Sequence, residues 1–463
     1  MGDFLISGAT LVSGTEERQG SLRISDGAIA EILPPETSTG ELARLAERHG
    51  CEVVDGSGCL LIPGGVDPHV HFALATGGGL TADDFVSGSQ AALAGGTTTV
   101  IDFITPGRDE SLVVAAESRL EEAAACACDY SLHQSVTHWG PDTASQLEDV
   151  ARKHGLSSIK IYLAYLESIG LGMEEMTAVM AVAANHDWPV LVHCEDGAEI
   201  ARRQQALLAA NHVDPDTHPL SRPPAVEETA VHWALAAAEV TGCRPYLVHL
   251  STEAAVDAVL EARSKGQTVV AETCPQYLLL EVDAYAQEFS ASAPFIMSPP
   301  LRDSVNRQAV ARAVLDGTFD VVASDHCSFN QSQKEAGKGD FTRIPGGVAG
   351  VEHRLALLHT LAAVGGMSQV DWVRLVSEGP ARTFGLYPRK GSLDIGADAD
   401  LVLWDPVATR VLSTATDHHR ADHLAWEGTP VRGRVMRTWL RGEVVVENDL
   451  VMATSGNGRL LVR

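Results

Sequence analysis

Six residues of this chain combine chemical type and placement in a way that could hold a cation. One apolar run ends in Asp67-Pro-His69-Val-His71. In extended backbone residues i and i+2 point to the same side, so both imidazoles can address one ion. Lys160 sits in Ser158-Ile-Lys-Ile-Tyr162, while Leu191-Val-His193, Leu247-Val-His249 and Val321-Val-Ala-Ser-Asp325-His326 close three further apolar runs. Imidazole and carboxylate are ordinary ligands for zinc-type ions. Taken singly each residue is a weak sign: H-x-H has little specificity, and a strand lysine is usually a snorkelling side chain. Their shared place at the ends of apolar runs is explained jointly by one buried cation site. Lys160 is the unusual member, because an ammonium has no lone pair and is repelled by a cation. It must either lose its proton through burial or become a carbamate by reaction with CO2, an anion whose two oxygens can bridge two metals.

Such residues need a frame that gathers strand ends. Eight apolar runs, at 60–66, 97–104, 130–136, 158–163, 189–192, 245–248, 268–271 and 320–323, read as strands. Segments 82–94, 111–127, 173–185, 226–240, 252–265 and 305–315 carry apolar residues at helical spacing. Thr81-Ala-Asp-Asp84 is read as a capping box for the first of them. This alternation predicts an α/β fold, a (β/α)8 TIM-like barrel whose strand ends converge on one face, with an open doubly wound sheet as the alternative. The first sixty residues and the stretch from about residue 393 instead read as short strands broken by Gly and Asp. Paired with each other they make a smaller β-sandwich domain, 1–62 with 388–463, around a barrel at 63–387.

The chain has 463 residues with 61 acidic against 34 basic side chains, a net charge of −27. Such a surface repels phosphate backbones and anionic lipid, so neither nucleic acid nor membrane is an expected partner. A 45% hydrophobic fraction is that of a globular chain with a large core. No apolar run approaches the ~20 residues of a membrane span, and MGDFLISGATLVSG lacks a basic n-region, so a cytoplasmic protein is expected. The eight cysteines include no C-x-x-C pair and are expected as small buried residues.

At this point the chain resembles the dihydropyrimidinase/hydantoinase group of cyclic amidohydrolases, within the amidohydrolase superfamily. The resemblance spans nearly the whole length, through PGGVDPHVHF (63–72), DDFVSGSQAALAGGTTTVIDF (83–103), SIKIYLAY (158–165), VLVHCEDG (190–197), HPLSRPPAVEETA (218–230), YLVHLST (246–252), AETCPQYLLL (271–280), SPPLR (298–302), SDHCSFN (324–330) and GSLDIGADADLVLWDP (391–406). It implies a barrel with a sandwich built from both termini and a centre of two divalent ions, usually Zn2+. His69, His71 and Asp325 match the ligands of one ion, His193 and His249 those of the other, and Lys160 the carboxylated bridging lysine. Tyr165 matches the tyrosine that polarises the scissile carbonyl. Ser298 and the 344–347 loop, with Gly346, match positions whose backbone holds the ring amide. The implied reaction opens a 5,6-dihydropyrimidine or 5-substituted hydantoin by a metal-bridging hydroxide, with Asp325 carrying the proton to the leaving nitrogen, to give an N-carbamoyl amino acid. The resemblance also implies a homo-oligomer, tetramer or dimer.

Two departures bear on substrate. Where relatives often read Pro-Asn-Gly, this chain reads Pro345-Gly346-Gly347, and Gly77-Gly-Gly79 follows the H-x-H motif as either a lid or a plain turn. Leu74, Tyr162 and Ile169 are expected to help select the ring substituent. Dihydroorotases resemble this chain but carry an Arg shortly after H-x-H to hold a carboxylate; Phe72-Ala-Leu74 supplies no cation there. Allantoinase, whose substrate is a hydantoin, is the nearer alternative. A non-catalytic scaffold related to the dihydropyrimidinases is disfavoured because all six ligand positions are filled.

Overall fold

The computed structural model describes residues 2–463. Strands Gly65–Asp67, Thr97–Ile104, Asp129–Ser135, Ile159–Tyr162, Val190–His193, Pro245–Leu247, Val270–Thr273 and Val321–Val322 follow one another around a parallel sheet in chain order. Their inward side chains, including Val66, Ile101, Phe103, Leu191, Tyr246 and Val270, pack into one apolar cluster, so the interior is a core and not a pore. The ring closes above its last strand, where Val70 and His326 form a single parallel bridge and His71 N donates to His326 O at 2.8 Å. Arg354, fully buried, donates from Nη1 to Val66 O at 3.2 Å and Val322 O at 3.0 Å. One guanidinium therefore fastens the first strand to the eighth where the backbone ladder does not. The chain is a (β/α)8 barrel with a smaller sheet domain made from both termini.

That second domain is one nine-stranded sheet. Strands Phe4–Val12, Glu17–Ser25 and Ala28–Leu33 come from the N-terminal side, and Leu401–Val411, Pro430–Leu440 and Glu443–Glu447 from the C-terminal side. They enclose a core of their own that includes Phe4, Ile6, Leu22, Leu401 and Trp439. Beyond the last strand the chain returns to the barrel: Leu461 N donates to Tyr130 O at 2.7 Å, and Arg463 Nη2 donates to Leu132 O and Ser158 Oγ at 2.7 and 2.8 Å.

Three sequence expectations change. The apolar run at 60–66 is two strands. Leu60–Pro63 pairs with Phe4–Val12 and Leu401–Val411 in the terminal sheet, and only Gly65–Asp67 enters the barrel. The break falls at Gly64, where an added Cβ would meet Thr98 Cβ at 2.8 Å. The first barrel helix is Phe85–Ala94, and its capping box is Asp84 with Ser87, not Thr81 with Asp84; it is preceded by helix Thr39–His49, within the N-terminal stretch read as strands. Helices Thr143–His154 and Gly197–Ala209 escaped the periodicity because their apolar stripes are thin: Leu147 and Val150 are the buried large residues of one, and Ile200 that of the other. Among the described residues no helix is long and apolar enough to cross a membrane.

Candidate metal centre

The chain just after the first barrel strand carries His69 and His71, and the chain just after the last carries Asp325. His69 Nε2 and His71 Nε2 each lie 3.2 Å from the same oxygen, Asp325 Oδ1. His69 is held from behind: its Nδ1 is 2.8 Å from Glu272 Oε1, and Glu272 also accepts from Tyr246 Oη at 2.6 Å and from His249 N at 3.1 Å. That fixes Nε2 as the nitrogen facing the site. On the opposite side two further histidine candidates meet, with His193 Nδ1 3.0 Å from His249 Nε2. His193 Nε2 is taken by Glu195 Oε2 at 2.8 Å, and Glu195 is itself paired with buried Arg222, so Nδ1 is the nitrogen left for a ligand. His69 and His249 ring centroids are 5.5 Å apart, which joins the two groups into one cluster.

Lys160 is fully buried between these groups and the barrel wall, its Nζ 5.2 Å from the Phe103 ring centre and 4.9 Å from that of Tyr162. Burial pushes its pKa down to about 8, so the neutral amine is accessible near neutral pH. Burial also holds the His69 and His249 imidazoles well below their ordinary value, in the neutral form that ligation requires. For Asp325 burial acts upward, but His69 and His71 outweigh it and keep the carboxyl below its usual range. Backbone strain gathers here too: His249, Asp325, Tyr165 and Ala73 all have positive φ, at 40°, 50°, 59° and 45°, a conformation that costs of order 1–3 kcal/mol and persists where the surroundings enforce it.

Tyr165 sits over the His193 side of the cluster, the two ring centres 5.5 Å apart. Its turn is tight, with its carbonyl accepting from Ser168, Ile169 and Gly170 N at 2.9, 3.1 and 2.9 Å. Ser298 and Gly346 face each other: a Cβ on Gly346 would come 3.6 Å from Ser298 Oγ. Gly77 and Gly78 are the turn of a short hairpin, Ala75–Thr76 with Gly79–Leu80. Gln333 Nε2 donates to Gly78 O and Leu80 O at 3.2 and 2.8 Å, and a Cβ on Gly78 would meet Pro345 Cβ at 2.7 Å. The hairpin thus abuts the 344–347 loop.

The amidohydrolase family profile matches residues 60–445. D-hydantoinase of Geobacillus stearothermophilus is 36% identical over 462 residues, covering 99% of this chain and 96% of that protein. Dihydropyrimidinase of Dictyostelium discoideum is 34% identical over 100% of this chain and 91% of its own. The crystal structure of dihydropyrimidinase from Brevibacillus agri superposes with a TM-score of 0.95 at 34% identity, over 100% of this chain and 98% of that one. The chain belongs to the amidohydrolase family.

The residues of this amidohydrolase fit a divalent metal ion, with His69, His71 and Asp325 grouped as ligands. Two imidazole nitrogens converge on one carboxylate oxygen, and His71 Nδ1 and His249 Nδ1 are buried without a hydrogen-bond partner, which leaves these rings to be aimed by something other than a hydrogen bond at Nδ1. Sequence reading missed the groups that do the aiming. Glu272, Glu195 and Arg222 are 0, 0 and 4% exposed; a charged residue beside an apolar run was the available signal. It also missed Lys334. This fully buried lysine donates to Ile296 O, Pro345 O and Gly347 O at 2.9, 2.7 and 2.9 Å, tying the segment before Ser298 to the loop of Gly346. Burial pushes its pKa down to about 7. Lys334→Met should release these two segments from each other. Steady-state kinetics are expected to show KM for a ring substrate rising about tenfold, equivalent to ~1.4 kcal/mol, with kcat changing less. An unchanged KM in a folded variant contradicts the role.

Proposed function

We propose that this amidohydrolase hydrolyses a cyclic amide, opening the ring of a 5,6-dihydropyrimidine or 5-substituted hydantoin to an N-carbamoyl amino acid. The observation that carries the proposal is the convergence of His69, His71 and Asp325 with His193, His249 and Lys160 at the mouth of the barrel. It is supported by full-length relatives named for these two activities. His69 and His71 through Nε2, together with Asp325, would hold one ion, and His193 through Nδ1 with His249 through Nε2 the other, most simply both Zn2+. Lys160, carboxylated by CO2, would lie between them. When bound, the ions supply a nucleophile at neutral pH and polarise the ring carbonyl.

The chain's own groups do the rest. Ser298 and Gly346 present backbone to the ring amide and fix which carbonyl faces the cluster. The Tyr165 hydroxyl donates to the carbonyl oxygen as negative charge develops there. Asp325, ionised on substrate arrival, accepts a proton at its carboxylate and passes it to the ring nitrogen as the C–N bond breaks. Glu272 and Glu195 keep His69 and His193 from turning. Leu74, Tyr162 and Ile169 shape the space for the ring substituent. By resemblance the enzyme works as a cytoplasmic homo-oligomer, a tetramer or dimer.

A turnover panel of dihydrouracil, hydantoin, 5-phenylhydantoin, allantoin and dihydroorotate tests the substrate class. The neutral five- and six-membered rings are expected to lead. Preference for allantoin would move the enzyme to the allantoinase reading. Preference for dihydroorotate would contradict the proposal, since no cation follows His71 to meet its carboxylate.

A further inference from the structure

A second set of ligand-type side chains meets where the 412–429 loop touches the barrel. His353, just before helix Arg354–Gly365, joins Asp417 and His419 of the loop, with ligand atoms all within 4.8 Å of one another. His353 Nε2 and His419 Nε2 lie 3.1 and 3.0 Å from one oxygen, Asp417 Oδ2. Their side chains are 1, 1 and 4% exposed. This repeats the arrangement of His69, His71 and Asp325, where two Nε2 atoms address one Asp325 oxygen at 3.2 Å.

The local chain is built to present these groups. Asp417 and His419 are two residues apart, while His418 between them is anchored elsewhere, with Nδ1 2.8 Å from Glu352 Oε1 and Nε2 2.9 Å from Asp449 O. Glu352 thus holds the loop while its neighbour His353 completes the group. Two imidazoles donating to a carboxylate could give the same contacts without an ion. A further observation favours a cation. His353 Nδ1 and His419 Nδ1 are buried without a partner, so each ring can carry its proton there and leave an Nε2 lone pair for an ion shared with Asp417.

We propose that His353, Asp417 and His419 form a third divalent-cation site, of zinc type and structural in role, that staples the 412–429 loop to the catalytic face. The loop also reaches that face through Arg420 N, which donates to Asp83 Oδ1 at 2.9 Å. Asp83 Oδ2 in turn lies 3.1 Å from Nε2 of His326, the neighbour of Asp325. The ion would stabilise this corner without taking part in hydrolysis.

The test is the anomalous difference map of crystals of the full chain equilibrated with micromolar Zn2+, collected at the zinc edge. A peak about 2.0–2.2 Å from both Nε2 atoms and an Asp417 oxygen is expected, and the hydrolytic centre is read separately in the same map. In solution, Asp417→Asn should bind one zinc fewer per chain than wild type, melt a few degrees lower and keep its turnover. No peak at this site, or equal zinc content in wild type and folded Asp417→Asn, overturns the proposal. The map of the wild-type protein decides even where the variant does not fold.

Discussion

Asp325→Asn should leave the fold intact and lower kcat by about 10²–10⁴-fold, the usual worth of a positioned general base. The amide has the size of the carboxyl and keeps an oxygen for His69 and His71. It also suits the backbone, because Asp325 has φ of 50° and Asn is among the residues that best tolerate that region. What it loses is the ability to accept and return a proton. His69 and His71 hold the Asp325 carboxyl below its ordinary range, so the wild-type group is ionised throughout the neutral range and the deficit should not be recovered by raising the pH. Metal content measured beside kcat separates a lost ion from a lost base. An unaffected rate in a metal-loaded variant removes Asp325 as the proton carrier.

Lys160→Ala is expected to abolish detectable turnover and to lower the bound metal per chain. The lysine stem is completely buried with Phe103 and Tyr162 flanking it, and the nearby carboxylates of Glu272 and Asp325 are already engaged by His69, Tyr246 and His71. Its pKa, pushed down to about 8 by burial, makes the neutral amine, the form that reacts with CO2, available at neutral to mildly alkaline pH. Loading with CO2 should therefore be slower at acid pH, where the ammonium predominates. A short carboxylate such as formate, small enough for the space left by the stem, should restore part of the activity of the alanine variant. Full activity in Lys160→Ala refutes the bridging role.

The barrel and its metal-type residues were legible because the information is local. His71, His193 and His249 each end or follow an apolar run, and strand order in a parallel barrel repeats chain order. The supporting contacts were not legible because they join distant segments. Glu272 reaches His69 across 203 residues and Arg222 reaches Glu195 across 27, and sequence spacing says nothing of either approach. Lys334 lies in a polar stretch, Gln331–Glu335, with no periodicity to mark it as buried; only the fold reveals that three carbonyls surround its amine. The split at Gly64 was hidden because one apolar composition serves a central strand of the terminal sheet and a barrel strand equally well. The approach of the hairpin at Gly78 to Pro345 was hidden too, because it joins segments far apart in the chain.

Metal-dependent opening of a cyclic amide is tested most directly by following one ring substrate, hydantoin or dihydrouracil, with the same protein stripped by a chelator and then reloaded with Zn2+. The stripped enzyme should remain folded and inactive, and the reloaded enzyme should release the N-carbamoyl amino acid. Full turnover by the stripped protein, or a reloaded and folded protein that opens neither ring, would contradict this function.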